Sequence, residues 1–191
     1  MQTKTLRHLE LILNFVAICG ITTILAIAFF IQFDMHELPC PLCILQRIGF
    51  ILIGFGFLLN LRFGFRPSHY AVVIFSALFT AAVALRQICL HIVPGTGSYG
   101  SAILGFHDYT WSFIFSVVVL IGTTVLLAFD RQYQFPVNLN KHVSRLTHIG
   151  FALYFMITIA SAVITFVECG PKFCPDNPTS YYLAKNICEN C

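Results

Sequence analysis

The stretch Pro39–Arg62, PCPLCILQRIGFILIGFGFLLNLR, holds two cysteines three residues apart, an arginine four residues after the second, and an apolar run closed by another arginine. Pro41 suits the first turn of a helix, where its missing N–H would be unpaired anyway. Cys40 is then expected near the N-cap, with Cys43 about one turn in. Cys40, Cys43 and Arg47 stand at i, i+3 and i+7, on one helical stripe. Free backbone N–H groups and the positive end of the helix dipole face that region and favour a thiolate. Arg47 places fixed positive charge beside it, or a donor for an anionic ligand. The plainer alternative is a structural disulfide that caps a helix, with Arg47 snorkelling to an interface. Proline, helix start and arginine on one face favour a reactive pair.

The apolar run is one of five, at about 10–32, 45–61, 70–92, 111–129 and 149–168, and about 20 residues of helix cross a bilayer core. Of the 191 residues, 58% are hydrophobic and only 10% charged, too apolar for a soluble domain. Backbone groups in lipid must satisfy one another, so the runs read as helices. The expected fold is an all-α integral membrane protein, a four-transmembrane-helix bundle plus a fifth transmembrane helix. The first run is too long for a signal peptide's apolar region, and no small-residue cleavage site precedes Gln32, so it reads as a permanent helix. No basic run with interleaved aromatics points to nucleic acid.

Lysine and arginine set the orientation. Lys4, Arg7, Arg62, Arg66, Arg131, Lys141 and Arg145 fall on one side, taken as cytoplasmic. Arg47, Lys172 and Lys185 fall on the other, with Arg86 inside helix three toward it. The N-terminus is then cytoplasmic and the C-terminus outside. Six of the eight cysteines, in the close pairs Cys40/Cys43, Cys169/Cys174 and Cys188/Cys191, gather on the outer face, away from the reducing cytosol.

Cys40-Pro-Leu-Cys43-Ile-Leu-Gln-Arg47, following a first transmembrane helix, resembles the C-x-x-C-x-x-x-R signature of the DsbB family of disulfide bond formation proteins, and the four-helix pattern extends the resemblance over about residues 10–130. Members are bacterial inner-membrane quinone reductases. They take electrons from DsbA, a periplasmic thioredoxin-fold oxidase, and pass them to ubiquinone or menaquinone. The resemblance implies that Cys40 and Cys43 are the quinone-proximal pair, with Cys43 the thiolate facing the ring and Arg47 holding the quinone. It also directs attention to polar residues near the outer end of helix three, where Arg86 and His91 are candidates for the quinone head group. Interfacial roles, snorkelling for Arg86 and hydrogen bonding for His91, are the alternatives. A dithiol at the membrane surface can meet both a soluble donor and a lipid-soluble acceptor, and each exchange moves two electrons.

In the family the second redox pair sits between helices three and four. Here that loop, residues 93–110, has no cysteine, and its glycines suggest mobility. The chain instead adds a fifth helix and the tail ECGPKFCPDNPTSYYLAKNICENC, read as replacing the missing pair. Four tail cysteines allow three connectivities. The favoured reading makes Cys188–Cys191 a mobile shuttle and Cys169–Cys174 a staple or second relay. A stapled extracellular knot is the alternative. The division expected is a four-helix domain over 1–130, a basic cytoplasmic loop over 131–148, a fifth helix over 149–168 and a periplasmic tail over 169–191.

Cys19 and Cys89 read as small packing hydrophobes, His107 and Asp108 as solvated loop residues, Tyr109 and Trp111 as an interfacial belt, and Asn60 as a helix contact. Two other functions compete. Cys40-x-x-Cys43 with Cys188-x-x-Cys191 could form a tetrahedral zinc site, though Arg47 and an oxidising compartment disfavour it, and no metal is expected. A vitamin K epoxide reductase-like enzyme would carry its quinone-proximal pair on a late helix. A reductase carrying electrons outward would need thiols reachable from the cytosol.

Overall fold

The computed structural model describes residues 2–93, 95–100, 102–129, 133, 141–172, 174–176, 178 and 180–183, with side chains described outside 2–8 and 141–147. Five helices, each long and apolar enough to cross a membrane, make up the fold: α1 (Gln2–Asp34), α2 (Pro41–Phe63), α3 (Pro67–His91), α4 (Asp108–Leu127) and α5 (Lys141–Cys169). The protein is therefore an all-α, multi-pass membrane protein. All five helices begin before the apolar runs that mark them. α2 starts at Pro41 with Cys40 as its N-cap, as the spacing predicts, and Arg47 lies inside it, buried. α5 starts at Lys141, within the segment expected to be a basic loop.

The ends follow local chemistry. Cys40 is the N-cap of α2 and Pro41 its first residue, and the Cys40 sulfur accepts from the Cys43 N–H at 3.1 Å. Gly64, at φ 88°, closes α2 by donating its N–H to Asn60 O, and Pro67 opens α3. Several hydroxyls within the helices bond back one turn, as Thr80 does to Ser76 O and Ser116 to Ser112 O, and these need no outside partner.

α2 is the central helix. Of its most apolar stretch 56% is buried, against 11% for α4 and for α5. It packs on α1, α3 and α5, while α4 packs on α3. Lipid gives helices little hydrophobic reason to associate, so close packing through small residues must do it. The glycines of α2 fit that need. A Cβ on Gly54 would come within 2.5 Å of the Tyr154 ring of α5, one on Gly56 within 2.6 Å of Val73 of α3, and one on Gly49 would collide with Thr80.

A polar knot pins one end of the bundle. Asn60 Nδ2 donates to Asn14 Oδ1 (3.1 Å), and Asn14 Nδ2 donates to Glu10 O (2.9 Å) and the Tyr70 hydroxyl (3.2 Å). His69 Nδ1 lies 3.1 Å from both Asn60 Oδ1 and Gly64 O. Both are acceptors, so that nitrogen carries the proton. The knot joins α1, α2 and α3, and Asn60 is the helix contact its position suggested.

At the other end, the loop expected to be mobile carries an antiparallel strand pair, β1 (Ala102–Ile103) and β2 (Phe106–His107). Leu104 (φ 52°) and Gly105 (φ 83°) form its two-residue turn, with positive φ at both positions as a type I′ hairpin requires. The Tyr99 hydroxyl donates to Leu38 O, and Trp111 Nε1 to Ile103 O at 2.9 Å, fastening the loop to the α1–α2 link and to α4. Cys19 and Cys89 lie on outward faces of α1 and α3 rather than packed inside, because the buried stripes of those helices run elsewhere.

Candidate functional site

Between α1, α2, the end of α3, the start of α4 and the hairpin loop lies a cavity of ≈ 620 Å³. Its walls are mainly apolar, with Ile24, Ile27 and Ile31 from α1, Phe50 from α2 and Phe115 from α4. Polar groups gather at one end: Cys43, Gln46 and Arg47 of α2, and Gln87 of α3. Glu37, Tyr99 and Asp108 line it as well. A largely apolar hollow with a few placed polar groups is the usual form of a small-molecule site. An amphipathic molecule with a polar ring and a greasy tail matches this lining.

Cys40 and Cys43 are joined in a disulfide, Cα atoms 5.0 Å apart. Cys40 is buried, at 5% exposure, while Cys43 faces the cavity. Arg47 follows Cys43 by four residues, so the two sit one turn apart on the same cavity wall.

Gln87, which stands with Arg86 and His91 near the end of helix three, has no role assigned from the sequence. Its Nε2 lies 3.4 Å from the Cys40 sulfur and 3.5 Å from that of Cys43, donating to both. Gln46 Nε2 donates to Gln87 Oε1 at 2.7 Å. That bond fixes the carbonyl end of the Gln87 amide toward Gln46 and leaves its N–H groups for the sulfurs. Arg86, the neighbour proposed instead, is exposed and does not line the cavity. His91 does not line it either. It bonds Gly97 O through Nδ1 (3.1 Å) and stacks on Tyr109 with ring centres 5.5 Å apart. The signal for Gln87 was present in the pattern of α3. Tyr70, Val73, Ala77, Thr80, Ala84 and Gln87 recur at three- and four-residue steps and are all buried.

Arg47 is buried, 7% exposed. Its Nη1 donates to Gln32 Oε1 at 3.1 Å, and its guanidinium sits 5.0 Å from the centre of the Phe29 ring, a cation–π distance. The interfacial snorkelling position is thus not the one it takes. Gln32 Nε2 in turn donates to Glu168 Oε2 (3.5 Å) and to the Tyr181 hydroxyl (3.2 Å). Tyr99, in the loop, is pushed up to about 12 by burial, and secondarily by the negative charges of Glu168 and Glu37, so it remains a hydroxyl donor to Leu38 O.

The tail pair Cys169–Cys174 is also a disulfide, with Cα atoms 4.8 Å apart. Gly170 (φ 62°) ends α5, donating its N–H to Phe166 O at 2.8 Å, and a side chain there would strike the Tyr182 ring. Cys188 and Cys191 lie outside the described residues, as do the zinc ligands that reading requires of them. Among the described residues, no three His, Cys, Asp or Glu side chains come together as a metal site.

The family model for disulfide bond formation protein DsbB matches residues 10–101. A disulfide bond formation protein B of Xylella fastidiosa is 32% identical over 110 residues, covering 54% of this chain and 64% of the relative. That of Stutzerimonas stutzeri is 39% identical over 87 residues (41% and 51%), and that of Hahella chejuensis 36% over 86 (43% and 50%). This chain thus spans about half to two thirds of the length of these relatives. No solved structure matches it.

Proposed function

We propose, from the match of residues 10–101 to the DsbB family model and the similarity to disulfide bond formation proteins B, that the chain is a DsbB-family membrane thiol oxidase serving disulfide bond formation. It reoxidises a periplasmic DsbA-like thioredoxin-fold dithiol protein and passes the electrons to a membrane quinone, ubiquinone or menaquinone. It sits in the bacterial inner membrane with its N-terminus cytoplasmic, as the distribution of lysine and arginine suggests. One observation supports the reading above the others: Cys43 and Arg47, one turn apart, share the wall of an apolar cavity, with Cys40 buried beside them.

A bound quinone would take up two electrons and two protons and leave as quinol, while the Cys40/Cys43 dithiol becomes a disulfide. The protein's own groups divide the remaining work. Cys43 presents its sulfur to the cavity. The Gln87 amide, donating to that sulfur, and the positive end of the α2 dipole favour its anionic form, while the Cys43 N–H donates to the Cys40 sulfur. Arg47 would donate hydrogen bonds to a ring oxygen, and the isoleucines of α1 lining the cavity would bury the tail. Electrons enter through the tail, Cys188–Cys191 acting as the shuttle and Cys169–Cys174 as its staple or relay.

The test is quinone reduction by purified protein with a reduced thioredoxin-fold donor. Cys43→Ser should abolish it, and Arg47→Ala should raise the KM for quinone about tenfold, the worth of one charge-assisted hydrogen bond. Normal turnover in Cys43→Ser would end the enzyme reading.

A further inference from the structure

α5 contributes no lining to the cavity among the described residues, yet its last turn is wired to it. Glu168 is buried, 2% exposed, at the outer end of a helix whose buried positions Tyr154, Ser161 and Glu168 recur every seven residues. A leucine would satisfy packing there. An ionisable group in a membrane span is costly and by default has a task and a partner.

The partner is reached through Gln32. The Gln32 carbonyl accepts from Arg47 Nη1, while its amide nitrogen donates to Glu168 Oε2 and to the Tyr181 hydroxyl. In this geometry Glu168 Oε2 accepts from the Gln32 amide nitrogen. Glu168 therefore holds the NH₂ end of the Gln32 amide toward α5, and with it the carbonyl end toward Arg47. Glu168 Oε1 is buried with no hydrogen-bond partner among the described residues, so the carboxylate is not engaged in a closed network of its own. The carboxyl instead faces the guanidinium through one amide.

We infer that Glu168 and Gln32 are positioning residues for the quinone site, a carboxylate–amide brace by which the fifth helix fixes the Arg47 guanidinium in the cavity wall. The inference rests on the reading of Arg47 as a quinone ligand. It gives α5 a place in the site beyond carrying the tail outward. Tyr181 extends the brace to the tail, adding a second acceptor for the same amide.

The chain offers a direct readout. Trp111 is its one tryptophan and lines the cavity, so quenching of its fluorescence by a short-chain ubiquinone analogue reports binding without turnover. Glu168→Gln leaves the shape but can donate as well as accept, so the Gln32 amide loses its fixed sense. Affinity should fall about tenfold, with the kinetic loss on KM rather than kcat. Tyr181→Phe, at the half-buried edge, should cost about threefold. The swap Gln32→Glu with Glu168→Gln returns a carboxylate directly to Arg47 and should recover affinity to within about threefold of the original protein. A merely structural Glu168 would not be rescued by moving the charge. If Arg47→Ala weakens binding while Glu168→Gln and Tyr181→Phe do not, the brace is wrong and the quinone reading stands. Failure of the swap to rescue also overturns the brace. If Arg47→Ala itself leaves affinity unchanged, both readings fall together.

Discussion

Replacing Gln87 with leucine should slow the chemistry of Cys43 by a calculable amount. The Gln87 amide nitrogen is 3.4 and 3.5 Å from the two sulfurs, and its carbonyl is held by Gln46 at 2.7 Å. When the pair is reduced, the same N–H groups face a thiolate. A hydrogen bond to a charged group contributes about 1.5–3 kcal/mol net. Sulfur is a diffuse acceptor and one nitrogen serves two sulfurs, so the lower end, about 1.5 kcal/mol, is the reasonable figure. That is roughly tenfold in the thiolate population, because 1.4 kcal/mol is a factor of ten. The assay is the rate of maleimide labelling of Cys43 in fully reduced protein at neutral pH, read by mass spectrometry of the Cys43 peptide. Gln87→Leu should label about tenfold more slowly. Gln46→Leu, which frees the amide to rotate but leaves it in place, should cost about threefold. Trp111 quenching by a quinone analogue checks that the cavity survives. An unchanged labelling rate in Gln87→Leu, with quenching intact, would refute the role given to this amide.

Cys188→Ser together with Cys191→Ser should block electron entry from the protein donor while a small dithiol still drives quinone reduction, and unchanged turnover with the protein donor would remove the tail from the path. Gly54→Ala puts a methyl group 2.5 Å from the Tyr154 ring, so α5 must shift; thermal unfolding in detergent should reveal a loss of about 1–3 kcal/mol, typical of overpacking. Tyr99 gives a pH prediction. Its folded value near 12 exceeds the usual 10, so the folded state holds the proton more tightly, and the contribution is complete below pH 10 and lost as pH rises toward 12. Trp111 fluorescence should report loosening of the loop across that window, and Tyr99→Phe should remove that component.

The helices were legible because length, apolarity and caps are local signals. Pro41 and Cys40 mark the start of α2 as plainly in the sequence as in the structure. The hairpin was not legible. Its turn uses Leu104 at positive φ, a residue that carries no turn signature, and its strands are two residues each. Reading Gly95, Gly97 and Gly100 as mobility overlooked Tyr99, His107 and Trp111, whose hydrogen bonds fix the loop over the cavity. The site was half legible. Cys43 and Arg47 lie close in sequence on one helix, so spacing alone put them on one face. Gln32, Gln87 and Glu168 come from three other helices, and only the rotation of each helix about its axis brings them together. That rotation was encoded in the stripes: Leu11, Asn14, Ile18, Ile21, Leu25 and Gln32 on α1 are buried at matching steps. Attention went to Arg86 because charge is conspicuous, and the neutral amide one position on carries the contact.

The unequal exposure of the two sulfurs bears on how electrons arrive. Cys43 opens into the cavity, while Cys40, the N-cap of α2, is buried at 5% exposure. Disulfide exchange needs an incoming sulfur to approach along the S–S axis, opposite the leaving sulfur. On the proposed function, with Cys43 turned toward the cavity, the incoming thiol would attack Cys40, whose burial would hinder a folded donor. A thin segment tethered to α5 suits that approach better, because its tether raises the effective concentration of the thiol without a docking surface. Tyr181 already brings the tail to Gln32, beside the outer end of α2. On this argument a tail bearing its own CxxC could stand in for a loop pair with little loss: the donor would need to meet only the tail, and the tail alone would need to reach Cys40.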